Sequence, residues 1–205
     1  MAQRGVFIVL EGGEGAGKST LAAALAERVR ASDREAVVTR EPGGTAAGEL
    51  VRTLLHQPLT PWAETFAFLV ARAQIVAEVI WPALERGAVV ICDRFAASTF
   101  AYQGHARGLD LGSLRAANRL ATGGLESALT LFLDIDPVVG LARKRGETEA
   151  IRTGLEDVEF HRKVRRGYVA QSMAAPPGAW VTLDAAQPPE RIAAWAWESI
   201  EGLLG

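Results

Sequence analysis

Apolar and polar positions alternate in blocks along the chain. VFIVLE, AVVTRE, AVVICD, ALTLFLD and AWVTLD are short, nearly continuous apolar runs, typical of strands buried on both faces. Between them the spacing changes to a helical period. It predicts helices from Lys18 to about Ala31, from Ala46 to His56, and from Thr60-Pro61 to about Arg86. Thr60 is placed as an N-cap with Pro61 at the first helical position, and Pro82 should bend or end that long helix. PERIAAWAWESIEGLL predicts a closing helix. Strands alternating with helices imply an α/β fold: a five-stranded, mostly parallel sheet with helices on both faces. No repeat, low-complexity tract or linker divides the chain, so residues 1–205 are expected to form one domain.

One segment breaks the pattern. ARKRGETEAIRTGLEDVEFHRKVRRGY is dense in charge and follows the fourth strand. On its residues alone it is either a solvated helical hairpin or a mobile basic lid, about 143–157, that closes over phosphates. Elsewhere charge adds little. The net charge is −2, which gives no bulk pull toward nucleic acid or an anionic membrane. No apolar run approaches about 18 residues, so no membrane span is expected. The N-terminus reaches glycines too soon for a signal peptide. The single Cys92 excludes an intrachain disulfide, sits in an apolar run as a buried inert thiol, and fits a reducing, cytoplasmic setting.

The chemistry concentrates where strands end. Gly12-Gly13-Glu14-Gly15-Ala16-Gly17-Lys18-Ser19 matches G-x-x-x-x-G-K-[ST], with an apolar strand before it and a helix after it. Glycines let backbone N–H groups turn toward phosphate oxygens, and the new helix adds its positive end. Lys18 supplies a fixed charge to terminal phosphates, and the Ser19 hydroxyl is placed for Mg²⁺. The loop therefore predicts a nucleoside triphosphate, yet it contains an acid, Glu14. The third strand ends in Asp93-Arg94. Asp93 suits Mg²⁺, directly or through water. Arg94 either pairs with Asp93 to hold a turn or grips a second anion across the crevice. Two facing phosphate sites describe a nucleoside monophosphate kinase.

These blocks, with TREPGGT, FAFLVARAQ, DRFAASTFAYQGHARGLD, LFLDIDPVVGLAR, FHRKVRRGY and TLDAAQPPE in order, make the sequence resemble the thymidylate kinase (dTMP kinase) family, bacterial type. The resemblance implies a P-loop nucleoside monophosphate kinase fold with a helical lid. It implies Mg²⁺-ATP-dependent phosphorylation of dTMP to dTDP, in dTTP biosynthesis, by a cytoplasmic homodimer that engages no nucleic acid or membrane. It assigns ATP to Gly12 through Thr20 and to Arg143. It assigns dTMP to Glu14, Glu41, Arg52, Phe68, Arg72, Arg94, Ser98, Thr99, Tyr102 and Gln103. Catalysis falls to Lys18, Arg94, Arg145 and Arg152, and the metal to Ser19 and Asp93. In the family the Phe68-like ring stacks on thymine and the Arg72-like group bonds its carbonyl; read alone, these residues are a core Phe and a surface Arg. Tyr102 resembles the residue that crowds the sugar 2′ position. Glu14 resembles an acid that accepts from the sugar 3′-OH, whereas Glu41 reads equally as a charge stabilising the turn at Pro42-Gly43. Two departures stand out: Phe95 follows Asp93-Arg94 where the family often has Tyr or His, and the lid lacks the usual Asp-Arg-x-Glu around Arg152.

Two other readings remain on the sequence. One is a kinase for a different small acceptor, which the block Phe68, Arg72, Thr99 and Gln103 argues against. The other is a regulatory or assembly ATPase, which would need a partner surface or a DNA-binding stripe.

Overall fold

A computed structural model describes residues 5–144 and 156–204. Five strands form one parallel sheet in the order β2-β3-β1-β4-β5. They are β1 (Val6–Gly12), β2 (Ala36–Arg40), β3 (Val89–Asp93), β4 (Leu129–Asp134) and β5 (Trp180–Asp184). The runs of β1, β3 and β4 are buried on both faces, whereas the edge strands β2 and β5 are only partly covered, with Val38 exposed. On one face Ile8, Leu10, Ile91, Leu131 and Leu133 pack with α1 (Lys18–Ala31) and α9 (Pro189–Ile200). On the other face Phe7, Val9, Val90 and Cys92 meet Ile75 and Ile80. Next to them Phe132 packs on Tyr168 from α8 (Val158–Ala174). Each fully buried side chain of this kind stabilises the fold by about 1.5–3 kcal/mol.

The chain moves to one side of β1 for β2 and β3, then to the other for β4 and β5. That reversal opens a crevice at the carboxyl ends of the strands, beside β1. The pairing sets what faces it. Leu10 lies level with Asp93, and Gly12 with Leu133. The phosphate-loop residues and the end of β3 are therefore neighbours by register.

The long helix is more interrupted than its sequence suggests. Thr60 caps α3 (Pro61–Ile75) by accepting the Ala63 N–H at 3.4 Å. The helix then widens into π turns over Val76–Ile80 and resumes as α4 (Trp81–Glu85). Pro82 has no N–H to give to the turn before it, and the wider turn accommodates the loss. Taken together, Pro61–Glu85 is long and apolar enough to cross a membrane by length and composition, although no single apolar run reaches that length. It instead buries Glu64, Thr65 and Arg72 among polar partners and packs on α2 (Ala46–Leu54) and α6 (Leu111–Thr122).

The segment after β3 was not anticipated. It forms a short α5 (Ala96–Thr99), a π stretch over Phe100–Ala106, and α6, which Asp110 caps through the Ser113 N–H at 2.7 Å. Leu114 and Thr122 are the buried residues of α6, and Leu120 is exposed, so its apolar stripe is too thin to read. After β4, α7 (Pro137–Lys144) leads into the charged segment. Arg145, Arg152 and the rest of 145–155 lie outside the described residues.

Candidate active site

The phosphate loop owes its shape to two glycines. Gly15 has φ +65°, and a Cβ there would lie 2.0 Å from the Gly140 carbonyl oxygen, so the loop and α7 meet backbone to backbone. Gly17 has φ +89° at the N-cap of α1, with no side-chain cap on the helix. The first N–H groups of α1 are left for an anion. Lys18 folds back over the loop and donates to the carbonyls of Gly13 at 2.8 Å and Gly12 at 3.2 Å. Burial, and then the nearby Arg94 charge, push its ammonium down to about 8.

The same loop faces Arg94, a non-glycine residue at φ +73°. Strain of this kind persists only where surrounding contacts hold it. Here the Arg94 N–H donates to the Leu10 carbonyl at 2.9 Å, and Cys92 Sγ donates to the Arg94 carbonyl at 3.0 Å. The guanidinium donates to Glu14 Oε1 at 2.8 Å and to the Gly12 carbonyl at 3.1 Å, over the Tyr102 ring. The other oxygen of Glu14 pairs with Lys144. This accounts for an acid inside an anion-binding loop. Glu14 is the counter-ion of two cations that flank it, Arg94 and Lys144. Burial alone would raise its carboxyl; Arg94, Lys18 and Lys144 together hold it well below the usual carboxylate range.

Beneath Arg94 lies Glu11, fully buried at the end of β1. Its Oε1 accepts the N–H groups of Phe95 at 2.9 Å and Ser98 at 3.1 Å. Its Oε2 accepts the hydroxyls of Ser98 at 2.7 Å and Tyr168 at 3.0 Å. Burial raises its pKa, against the opposing bonds from Ser98 and the charge of Arg94. Four donors on one carboxylate fix the start of the segment after β3. At the metal-type position, Ser19 Oγ donates to Asp93 Oδ2 at 2.6 Å. Hydroxyl and carboxylate oxygens are the donors a hard cation such as Mg²⁺ takes, with the remaining positions left to phosphate and water.

Next to the loop is a cavity lined by Glu14, Glu41, Arg52, Phe68, Arg72, Arg94, Ser98, Thr99, Tyr102 and Gln103, with Pro42 and Lys144. Every acceptor-side residue expected from the sequence lines it. Arg72 is at its floor, 1% exposed. It donates from Nε to Glu41 Oε2 at 2.8 Å, from Nη1 to Thr99 at 3.0 Å and Asn118 at 2.9 Å, and from Nη2 to the Phe95 carbonyl at 3.0 Å. It is a structural hub as well as a cavity wall, not a surface arginine. Truncating it would strip a buried ion pair, at a cost of about 3–5 kcal/mol. Glu41 is therefore the partner of Arg72 first, and burial raises its carboxyl while Arg72 opposes the shift. Arg52 donates to the Pro42 carbonyl at 3.3 Å. Phe95 meets Phe7 edge-on and lies under the Arg72 guanidinium, so the ring that replaces the usual Tyr or His is core.

A second cleft runs along the phosphate loop past Lys18, Ser19, Asp93 and Arg143 and shares Glu14, Glu41, Arg52, Arg94 and Lys144 with the first. It continues into a groove between α1 and α9 that Arg143 and Gln187 border. Arg143 donates to the Ala185 carbonyl at 2.9 Å. Sequence reasoning missed Lys144, Glu11 and Asn118. Lys144 had a signal: it is one of only three lysines among 22 basic residues, Lys18 being another. Glu11 had one too, as an acid closing an apolar strand. Asn118 had none, because its helix was not seen.

The family model for thymidylate kinase matches residues 10–194. Thymidylate kinase from Synechococcus sp. (strain JA-3-3Ab) is 51% identical over 202 residues, covering 97% of each chain. That from Thermomicrobium roseum is 47% identical, over 97% of this chain and 95% of its own. That from Deinococcus radiodurans is 44% identical, over 96% and 97%.

The Glu14 pairing makes a signed prediction about pH. Its folded carboxyl titrates below the ordinary value of 4.5, so it stabilises the fold fully above that value. The contribution is lost as pH falls below 4.5 toward the folded pKa. Urea unfolding of the unliganded protein should find Glu14→Gln less stable than wild type at neutral pH, with the gap closing as the solution is acidified below that point. A gap that does not change with pH would mean the carboxylate carries no such charge.

Proposed function

The chain belongs to the thymidylate kinase family, and from that premise we infer that it transfers the γ-phosphoryl group of ATP to the phosphate of dTMP, giving dTDP for dTTP biosynthesis. One observation carries the reading: the two clefts are not separate but share Glu14, Arg94, Glu41, Arg52 and Lys144 as a common wall. A donor phosphate over Lys18 and an acceptor phosphate beside Arg94 then meet at that wall. Phosphoryl transfer needs little beyond such positioning and charge.

In this reading the loop N–H groups and Lys18 hold the β- and γ-phosphates. Arriving phosphate charge favours the protonated ammonium that burial disfavours. Ser19 and Asp93 hold Mg²⁺, which would supply charge neutralisation on the phosphates. ATP's base lies in the groove by Arg143. On the acceptor side Phe68 stacks on the base, Arg72, Thr99 and Gln103 face its edge, and Tyr102 sits by the sugar. Ser98 supports Arg94, to which it is bonded at 3.3 Å. Arg94 grips the acceptor phosphate, and Glu14 exchanges part of its pairing for the sugar hydroxyl. Transition-state charge falls to Arg145 or Arg152 in the lid, about 143–157, with Lys144 already at the cleft. The whole chain acts as one kinase domain, in the cytoplasm, and its buried Cys92 thiol, raised by burial, suits that compartment.

We further infer a homodimer. Phe66 and Val70 lie four apart on the outer face of α3, 56% exposed each, and Trp81 at the start of α4 is 42% exposed. Trp62 stacks on Phe66 at 5.6 Å. An apolar stripe of large residues on one helix suits a second copy of itself. Sedimentation should find a dimer that Phe66→Asp with Val70→Asp converts to monomer; a wild type that sediments as a monomer at assay concentration contradicts the dimer.

Steady-state kinetics check the two clefts separately. Lys18→Ala should lower kcat by about 10²-fold or more while melting near the wild-type temperature. Phe68→Ala should raise KM for dTMP by the loss of about 1–3 kcal/mol of stacking, with KM for ATP little changed. A folded Lys18→Ala with wild-type kcat, or a Phe68→Ala that raises KM for ATP and not for dTMP, would contradict the assignment.

A further inference from the structure

Glu64 lies on α3 one turn before Phe68 and is 4% exposed. A carboxylate at that depth requires partners. Its Oε1 accepts from Gln103 Nε2 at 2.7 Å and from Arg107 Nε at 2.9 Å, and its Oε2 from Arg107 Nη2 at 3.1 Å. Arg107 is anchored in turn by Glu156 at 3.0 Å and lies over the Phe160 ring. The guanidinium thus pins the carboxylate with two near-parallel bonds, and the carboxylate pins the amide. Gln103 is 1% exposed and lines the cavity beside Phe68 and Arg72.

The two ends of an amide differ only in hydrogen-bond sense: the oxygen accepts and the nitrogen donates. A carboxylate paired with a guanidinium has no hydrogen to offer, so the NH₂ end must face Glu64. Gln103 is left with its Oε1 acceptor and one N–H, side by side. Its Oε1 bonds to no other protein group among the described residues.

We propose that Glu64 is a positioning residue that sets base selectivity through Gln103. This rests on reading the cavity as the pyrimidine site. Thymine presents an N3–H donor next to a carbonyl acceptor, which complements an acceptor beside a donor. Cytosine presents an N3 acceptor next to an amino donor, the reverse pattern. An unpinned amide could turn over and serve either base. Glu64 removes that freedom, because a turned amide would set its oxygen against a carboxylate. Leaving such a group unpaired in a buried site is what gives large discrimination.

The test measures kcat and KM for dTMP and for dCMP, with thermal melting, in wild type, Glu64→Gln and Arg107→Gln. A glutamine at 64 can donate as well as accept, so it releases the Gln103 amide. The ratio of kcat/KM for dTMP over dCMP should fall by about tenfold or more in Glu64→Gln, carried by KM for dTMP more than by kcat. Arg107→Gln, at a partly exposed position, loosens the same carboxylate and should shift the ratio the same way by a smaller factor. If Glu64→Gln does not fold, Arg107→Gln carries the test. Folded variants that lose both substrates equally, with the ratio unchanged, overturn the proposal and leave the cavity assignment standing. A wild type that uses neither nucleotide overturns both.

Discussion

Arg94 holds Glu14 at 2.8 Å across the crevice beside β1, and most of the site is arranged around that contact. The arginine comes from the end of β3 and the acid from the loop after β1, strands that are neighbours in a parallel sheet. Arg94 reaches inward because its backbone is left-handed, and its backbone stays left-handed because Leu10 and Cys92 hold it. Glu11, under it, anchors the segment that carries Ser98, Thr99, Tyr102 and Gln103. The two clefts beside the loop therefore share one charged wall.

That wall contains more charge than the fold alone would favour. Lys18, Arg94 and Lys144 converge with Glu14, and burial works against the charged form of both Lys18 and Glu14. Arg94 and Lys144 pair with Glu14, while Arg94 and Lys18 donate to backbone carbonyls of the loop. On the function proposed above, these same donors are the ones offered to phosphate oxygens. Electrostatic stabilisation held ready in this way costs little reorganisation when charge develops in the reaction.

Much of this was legible in the sequence, and for physical reasons. The strands were visible because two-sided burial makes apolar runs continuous, and α1 because a glycine-rich loop and a lysine mark its start. The cavity residues were visible through the family resemblance; spacing alone made Phe68 and Arg72 a core ring and a surface charge. The structure corrects the second half of that reading, since Arg72 is 1% exposed and bound to four partners. What stayed hidden depended on contacts distant in sequence. α6 has too thin an apolar stripe to announce itself, so Asn118 could not be placed. Glu11 and Glu64 are polar residues whose nearest side-chain-bonded partners lie 84 and 39 positions away. The π turns before Pro82 express a missing N–H that sequence locates but does not resolve into a geometry.

The central claim is that one crevice joins a triphosphate donor to a dTMP acceptor. Its most direct measurement is the fate of labelled phosphorus from γ-labelled ATP in a single turnover with Mg²⁺ and dTMP. The account predicts that the label appears in dTDP, and that dTMP is required for ATP to be consumed at the full rate. Label released as inorganic phosphate at the same rate with or without dTMP would contradict it.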